Sequence, residues 1–253
     1  MKFFFPFILL FAKGAFAQVE YSAESLFRHY PLAVFVKGHV GFGIKIWDKS
    51  EPKKEFLYGN ARALLIGQTS GTLSSYHAEA HFAPIAILDF YSGFGHTTRM
   101  LDKLPSFDCD VVNCKDSSIF RTYTGARFAF ALHQFYLMSD SRFTTMTASK
   151  SDRVLADELS SLLANPGKDQ LTQNTTLIGY KFFENYSVGF LNQYNAMKNF
   201  KNTANMAILF LRQEKDEWSW LAGPGFHHDR NNHAHPTFLL NIKWTGNKGV
   251  ALF

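Results

Sequence analysis

The stretch SSYHAEAHFAP, residues 74–84, sets His77, Glu79 and His81 at alternate positions, with Tyr76, Ala78, Ala80 and Phe82 between them. Imidazoles beside a carboxylate are the parts of a general base, a proton relay or a metal site. On an extended chain, residues two apart share a face and lie about 7 Å from each other. The three side chains then form a row. One metal reaches both imidazoles only if the strand bulges or a neighbouring strand adds a ligand. The zinc-protease pattern HExxH, which needs a helix to bring its histidines together, is absent. Alternation alone accounts for the spacing, so the preferred reading is a polar network on one face of a strand. A catalytic reading pairs His77 or His81 with Glu79 and takes Ser75 or Ser92 as nucleophile. There is no GxSxG elbow and no His-x-Ser pair on one strand, so the sequence leans away from an enzyme.

A second cluster, GFHHDRNNHAHP, holds His227, His228, Asp229, His233 and His235. Four imidazoles and a carboxylate can ligate zinc or copper, or they can be a solvated polar loop. The two cysteines, Cys109 and Cys114 in FDCDVVNCKD, have no second pair of soft ligands nearby. In an oxidising compartment they read as a disulfide closing a loop tip. Phosphate-binding glycine loops, paired CxxC sites and dinucleotide fingerprints are missing, and no cofactor is expected.

These residues must be held by something, and the dominant period from residue 31 onward is two, not 3.6. In LAVFVKGHVGFGIKIW, Leu32, Val34, Val36, Val40, Phe42, Ile44 and Ile46 share one face while Lys37, His39 and Lys45 share the other. Residues 57–67 place Leu57, Ala61, Ala63 and Leu65 against Tyr58, Asn60 and Arg62. IFRTYTGARFAFAL opposes Phe120, Phe128, Phe130 and Leu132 to Arg121, Tyr123 and Arg127. Further alternating runs cover 176–183, 186–196, 205–212, 218–226 and 237–244. Pro84, Glu184-Asn185 and 213–217 read as short connections, and 99–117, 148–174 and 227–236 as long ones. One run departs from the pattern. SDRVLADELSSLLANPG spaces Val154, Leu155, Leu159, Leu162 and Leu163 at helical intervals, with Asp152 as cap and Pro166-Gly167 as stop, and predicts a short helix in a long outer loop.

Residues 1–17, MKFFFPFILLFAKGAFA, carry the charged start, apolar run and Ala-Phe-Ala ending of a secretory signal peptide, and the apolar run is too short to span a bilayer as a helix. Cleavage lowers the formal charge from +5 to +3, too small an excess to imply nucleic acid. Residues 18–30 form a lead-in that either supplies a strand or lies as a short helix near the pore, and 31–253 form one domain.

The aromatic residues, 16% of the chain, crowd the apolar faces and strand ends. The polar faces mix Arg, His, Tyr and Asn with many glycines, unlike the Lys/Glu-rich outer face of a soluble sandwich. With the signal peptide and the terminal Phe253, the pattern resembles the bacterial outer-membrane β-barrel class. The resemblance implies a single antiparallel transmembrane barrel of ten to twelve strands, twelve favoured, from a Gram-negative type of cell and embedded among outer-membrane lipids. The polar face would then line a lumen with Lys37, His39, Lys45, Arg62, His77, Glu79, His81, Asp89, Arg121, Arg127, Lys181 and Lys243. The bases outnumber the acids there, and the reading is a structural barrel or a pore for a small, anionic solute. The alternatives are an outer-membrane lipid hydrolase and a soluble periplasmic all-β binding protein.

Overall fold

The computed structural model describes residues 17–49, 57–100, 103–104, 107–112, 114, 118–150, 152–157 and 160–251. The signal peptide expected over residues 1–17, apart from Ala17, and the terminal Phe253 lie outside the described residues. The elements run β1 (Gln18–Arg28), β2 (Ala33–Asp48), β3 (Tyr58–Thr69), β4 (Leu73–Ile85) and β5 (Leu88–Arg99). After these come the two-residue strands β6 (Lys103–Leu104) and β7 (Phe107–Asp108), the single helical turn α1 (Cys109–Val112), β8 (Ile119–Leu132) and β9 (Phe135–Ala148). The chain continues through β10 (Leu155–Asp157), β11 (Leu162–Ala164), β12 (Lys168–Phe183), β13 (Tyr186–Met197), β14 (Asn202–Lys215), β15 (Trp218–His228) and β16 (Ala234–Asn247).

Twelve of the strands close a barrel in the order β1-β16-β15-β14-β13-β12-β9-β8-β5-β4-β3-β2. Every junction is antiparallel, and β1 meets β16 over a register that runs from Tyr21 opposite Asn247 to Arg28 opposite Leu239. Closure leaves no unpaired edge, which in hydrocarbon would cost several kcal/mol for each unsatisfied backbone group. The segment 18–30, expected as a lead-in, is therefore largely the first barrel strand and completes the even count.

The alternation has a physical consequence best seen at two adjacent leucines. Leu64 is 8% exposed and Leu65 is 63% exposed. Outward with Leu65 stand Val34, Val36, Val40, Phe42, Phe82, Phe94, Phe143, Leu209 and Phe226, all large, apolar and exposed. Such a belt is stable in lipid and a liability in water. No helix among the described residues is long and apolar enough to cross a membrane; the crossing is made by strands.

One rim carries the tight turns Ala86-Ile87, His133-Gln134, Glu184-Asn185 and Asp216-Glu217. His133 (φ 56°) and Asp216 (φ 53°) take the left-handed conformation that a two-residue hairpin requires. The opposite rim carries the long segments between β5 and β8 and between β9 and β12. Pro84 is not a turn residue: it lies inside β4, where the register with β5 shifts between Phe82 and Ile85.

The helix expected over 152–165 is instead the hairpin β10–β11, with Leu155 paired to Ala164, Ala156 to Leu163 and Asp157 to Leu162. Both of its faces are buried. Leu155, Leu162 and Ala164 pack on Ile119, Met146, Leu171, Met197 and Ala204 in the barrel mouth. Ala156 and Leu163 meet Cys109 and Cys114 on the other side. A strand pair covered on both faces shows no alternation, and its leucines fell by chance at helical intervals. Among the described residues the one short helix belongs to the neighbouring loop, and it is tied by the Cys109–Cys114 disulfide, with Cα atoms 4.6 Å apart.

Candidate functional site

The inward faces enclose a cavity of about 580 Å³ that runs from Arg28 near the long-loop rim to Asn247, Lys248 and Ala251 at the other. Its walls are of two kinds. On β3, β4, β5, β8 and β9, a continuous charged network is held by the strand register, which sets Arg62 opposite His81, His81 opposite Tyr91, and Arg127 opposite Asp140. Arg62 donates to Asp89 at 2.7 Å and reaches Glu20 of β1 at 3.5 Å. His81 lies between two acids, Nδ1 2.8 Å from Asp89 and Nε2 3.0 Å from Glu79. Glu79 also accepts from Tyr123 at 2.8 Å and from Arg142 at 3.3 Å. Tyr91 donates to Asp140 at 2.6 Å, and Arg127 grips the same carboxylate at 3.0 Å. Charged groups taken from water persist only when paired and hydrogen-bonded in this way.

The remaining arc, β12 to β16 together with Leu26 of β1 and Tyr136 and Met138 of β9, carries an apolar cluster, beside which Gln173, Gln193, Asn241 and Lys243 also line the cavity. Leu177, Met206, Ile208, Phe210 and Leu239 are buried there, with Leu191 and Leu221 partly so. Phe210 fits because its strand neighbour is small: a Cβ at Gly189 would lie 2.6 Å from the Phe210 ring.

Of the residues expected to line a lumen, Lys37, His39, Arg62, Glu79, His81, Arg127 and Lys243 line the main cavity. His77 and Arg121 line a smaller one of about 80 Å³ beneath the hairpin, and Asp89 is buried against Arg62 and His81. Lys45 and Lys181 are not brought in. Lys45 is exposed and bonds Asp48 at 2.7 Å, and Lys181 is exposed beside the Glu184-Asn185 turn. The large basic excess expected from the sequence shrinks, because Glu20, Glu24, Asp140 and Asp157 also face inward, against the further bases Arg28, Arg142 and Lys248. Lys37 and Lys243 flank Glu24 in register on β2 and β16, and neither amine is within ion-pair distance of a carboxylate among the described residues.

The nucleophile candidates fare differently. Ser75 hydrogen-bonds His77 Nε2 at 3.2 Å, an order of residues opposite to the pair sought in the sequence. Ser75 is fully buried, however, and His77 Nδ1 has no partner, so no acid orients that ring. Glu79, the expected orienter, is occupied by His81, Tyr123 and Arg142. Ser92 is exposed on the outward face between the inward Tyr91 and Gly93 and bonds the Tyr123 carbonyl. The three parts of a hydrolytic triad therefore do not meet.

The hairpin β10–β11 lies across the long-loop mouth and is tied to it on several sides. Asp157 takes the Arg121 guanidinium at 2.7 Å and the Ser160 amide at 3.1 Å. Asn202 donates to the Leu163 carbonyl at 3.0 Å, Arg28 to Ser161 at 3.4 Å, and Arg99 to the carbonyls of Ala156 and Cys114. Burial alone would raise the Asp157 carboxyl, but Arg121 and the Ser160 hydrogen bonds outweigh it and hold the group below the usual carboxylate range. At the same rim Asp229, His233 and His235 converge, their ligating atoms all within 4.8 Å of one another; His227 is buried on the inward face, while His228 falls on the alternate one.

No protein-family model matches the chain, and no curated protein matches it. Among solved structures it is similar to the NanC porin, at 9% identity over 88% of this chain and 98% of that one, with a TM-score of 0.47. It is also similar to OmpT of Vibrio cholerae, at 8% identity, 92% and 98% coverage and a TM-score of 0.45. A third likeness is to the transport unit of the autotransporter AIDA-I from Escherichia coli, at 8% identity, 94% and 92% coverage and a TM-score of 0.41. At these identities and scores the likeness extends to the barrel fold alone. The chain's own closed barrel, with its exposed apolar belt, defines it as a membrane β-barrel protein.

Proposed function

We propose that this is an outer-membrane barrel of a Gram-negative type of cell that admits a small amphipathic organic anion to its lumen, with the outer mouth stoppered by the β10–β11 hairpin. The observation that carries the reading is the mixed lining of the cavity: Lys37 and Lys243 have no ion-pair partner among the described residues, and Met206, Leu221 and Leu239 line the same cavity nearer the long-loop rim. A carboxylate or phosphate would meet the amines while its hydrocarbon part lies on the apolar arc, which costs less desolvation than a fully polar pore imposes. The secretory leader supports export, and the tight-turn rim would face the periplasm, as in barrels of this kind. Low-dielectric walls focus the field of the two free amines.

The test is planar-bilayer conductance with a reversal-potential measurement under a salt gradient. The intact protein conducts little, because the hairpin fills the mouth. Replacing 152–165 with a short Gly/Ser linker opens a channel that prefers anions, and Lys37→Glu with Lys243→Glu removes that preference. A cation-selective opened channel, or none at all, would contradict the reading.

A further inference from the structure

We infer that the outer end of the β15–β16 hairpin is a binding site for one divalent transition-metal ion, ligated by Asp229, His233 and His235 with His227 beside them. The inference is independent of what the lumen carries.

The ligand geometry begins with Asp229. Its Oδ1 accepts the backbone amides of Asn231 and His233, both at 2.9 Å. That fixes the carboxylate and leaves Oδ2 turned towards the imidazoles, 3.3 Å from His235 Nε2 and 3.8 Å from His233 Nδ1. Asp229 is 21% exposed at its side chain and His233 72%, so an ion has access from the outside. Tyr30 stacks on His235 with ring centroids 4.0 Å apart and holds its plane.

His227 supplies an independent observation. It is 2% exposed, and neither ring nitrogen has a hydrogen-bond partner. A buried imidazole normally satisfies both nitrogens, and leaving them bare costs about 1–3 kcal/mol. His227 is the direct cross-strand partner of His235, and Asp229 follows it by two residues. The two histidine side chains therefore project from one face, with Cβ atoms about 4.5–5.5 Å apart. Tyr30 meets the His227 ring edge-on at 5.9 Å. The neighbouring cation, Arg28, is turned away to the Pro31 carbonyl and Ser161.

Imidazole nitrogens with one carboxylate oxygen suit zinc, nickel or copper rather than calcium or magnesium, which prefer oxygen throughout. Around zinc, ligands at about 2.0–2.2 Å in tetrahedral array sit roughly 3.3–3.5 Å from each other. The three ligating atoms lie within 4.8 Å, so binding needs a contraction of about an ångström, which the exposed turn carrying His233 can supply. The bound ion replaces the hydrogen bond between His235 Nε2 and Asp229 and draws in His233 Nδ1, now 3.8 Å from the carboxylate.

The test uses the full-length mature barrel, without a histidine tag, in detergent micelles. Zinc is titrated against a chromophoric chelator, and cobalt(II) is followed by its visible ligand-field spectrum. The expected result is one ion per barrel. Asp229→Ala and His235→Ala each weaken binding at least tenfold, and His227→Ala changes the cobalt spectrum. His228→Ala, on the alternate face, leaves both readouts as they were. The altered residues sit at an outer turn, and heat-dependent mobility on SDS gels verifies that each variant remains a barrel. Absence of saturable zinc binding, or binding that survives His233→Ala and His235→Ala together, overturns the site.

Discussion

The two walls of the lumen obey the same alternation and yet hold themselves together by different means. Seen from the lipid they are alike: Val40, Leu65 and Phe94 on one side and Leu209, Phe226 and Phe238 on the other are exposed and apolar. Inside they diverge. The β3–β9 wall is a chain of charges in which Arg62, Glu79, His81, Asp89 and Asp140 each have two or more partners, so that its members stand or fall together. The β12–β16 wall is built on a packed apolar cluster, in which each side chain contributes by its own volume, with uncharged amides and Lys243 beside it. The hairpin across the mouth touches both in kind, with Asp157 bound to Arg121 and Leu155 and Leu162 set among Met146, Leu171 and Met197. The difference teaches that a barrel interior need not be uniform in polarity. The lipid face is constrained all round, whereas each arc of the lumen is free to solve its own packing problem.

The largest expected effect comes from cutting the charged wall at its centre. Glu79→Ala strips a carboxylate from His81, Tyr123 and Arg142 at once and should cost about 3–5 kcal/mol, the usual penalty for an orphaned buried charge. Urea unfolding in micelles measures it, and combination with Arg142→Ala should be far from additive. On the apolar wall, Ile208→Ala should cost roughly 2–5 kcal/mol. It should be additive with Leu239→Val only if the two act as separate packing sites; strong coupling would erase the contrast between the walls.

The mouth responds to acid in a defined direction. Asp157 is held below the ordinary carboxylate range, so its contribution to holding the hairpin is present above the unfolded value of about 3.9 and fades as pH falls through the folded value. Conductance should be flat from pH 7 to pH 5 and rise only below about pH 4. The smallest effect is that of Lys243→Ala, which removes an unpaired amine at the cavity edge. Its stability should change by less than about 1 kcal/mol, while the reversal potential of the opened channel shifts towards cations.

Much of this was legible in the sequence where one face is apolar and the other is not. The strands carrying Val34 to Ile46, Ala61 to Leu65 and Phe120 to Leu132 declare their inward residues by parity, and the row His77, Glu79, His81 points inward as its spacing implied. β9 does not announce itself. Its Ser139, Asp140, Ser141 and Arg142 are polar on both faces, because the lumen there is charged and the outward neighbours are small. Asp140 and Arg142 are therefore not marked as inward by any local pattern. Glu20 and Glu24 are hidden for another reason: near the start of the chain their charge reads as a lead-in rather than as lumen wall. The hairpin over 155–164 shows no strand alternation because both its faces are covered. Pairing of Asp157 with Arg121, 36 residues away, depends on closure, which no local pattern encodes.

The claim beneath all of this is that neighbouring residues on one strand face different media, hydrocarbon outside and a walled lumen inside. Nitroxide labels placed singly at residues 61 to 68 of β3, in the barrel reconstituted in lipid bilayers, test it by power saturation with oxygen and with a water-soluble nickel chelate. Labels at Ala61, Ala63 and Leu65 should relax with oxygen and ignore nickel, and those at Arg62, Leu64 and Ile66 should be shielded from oxygen. Nickel access at Leu65 equal to that of a soluble surface, with no alternation along the strand, would contradict it.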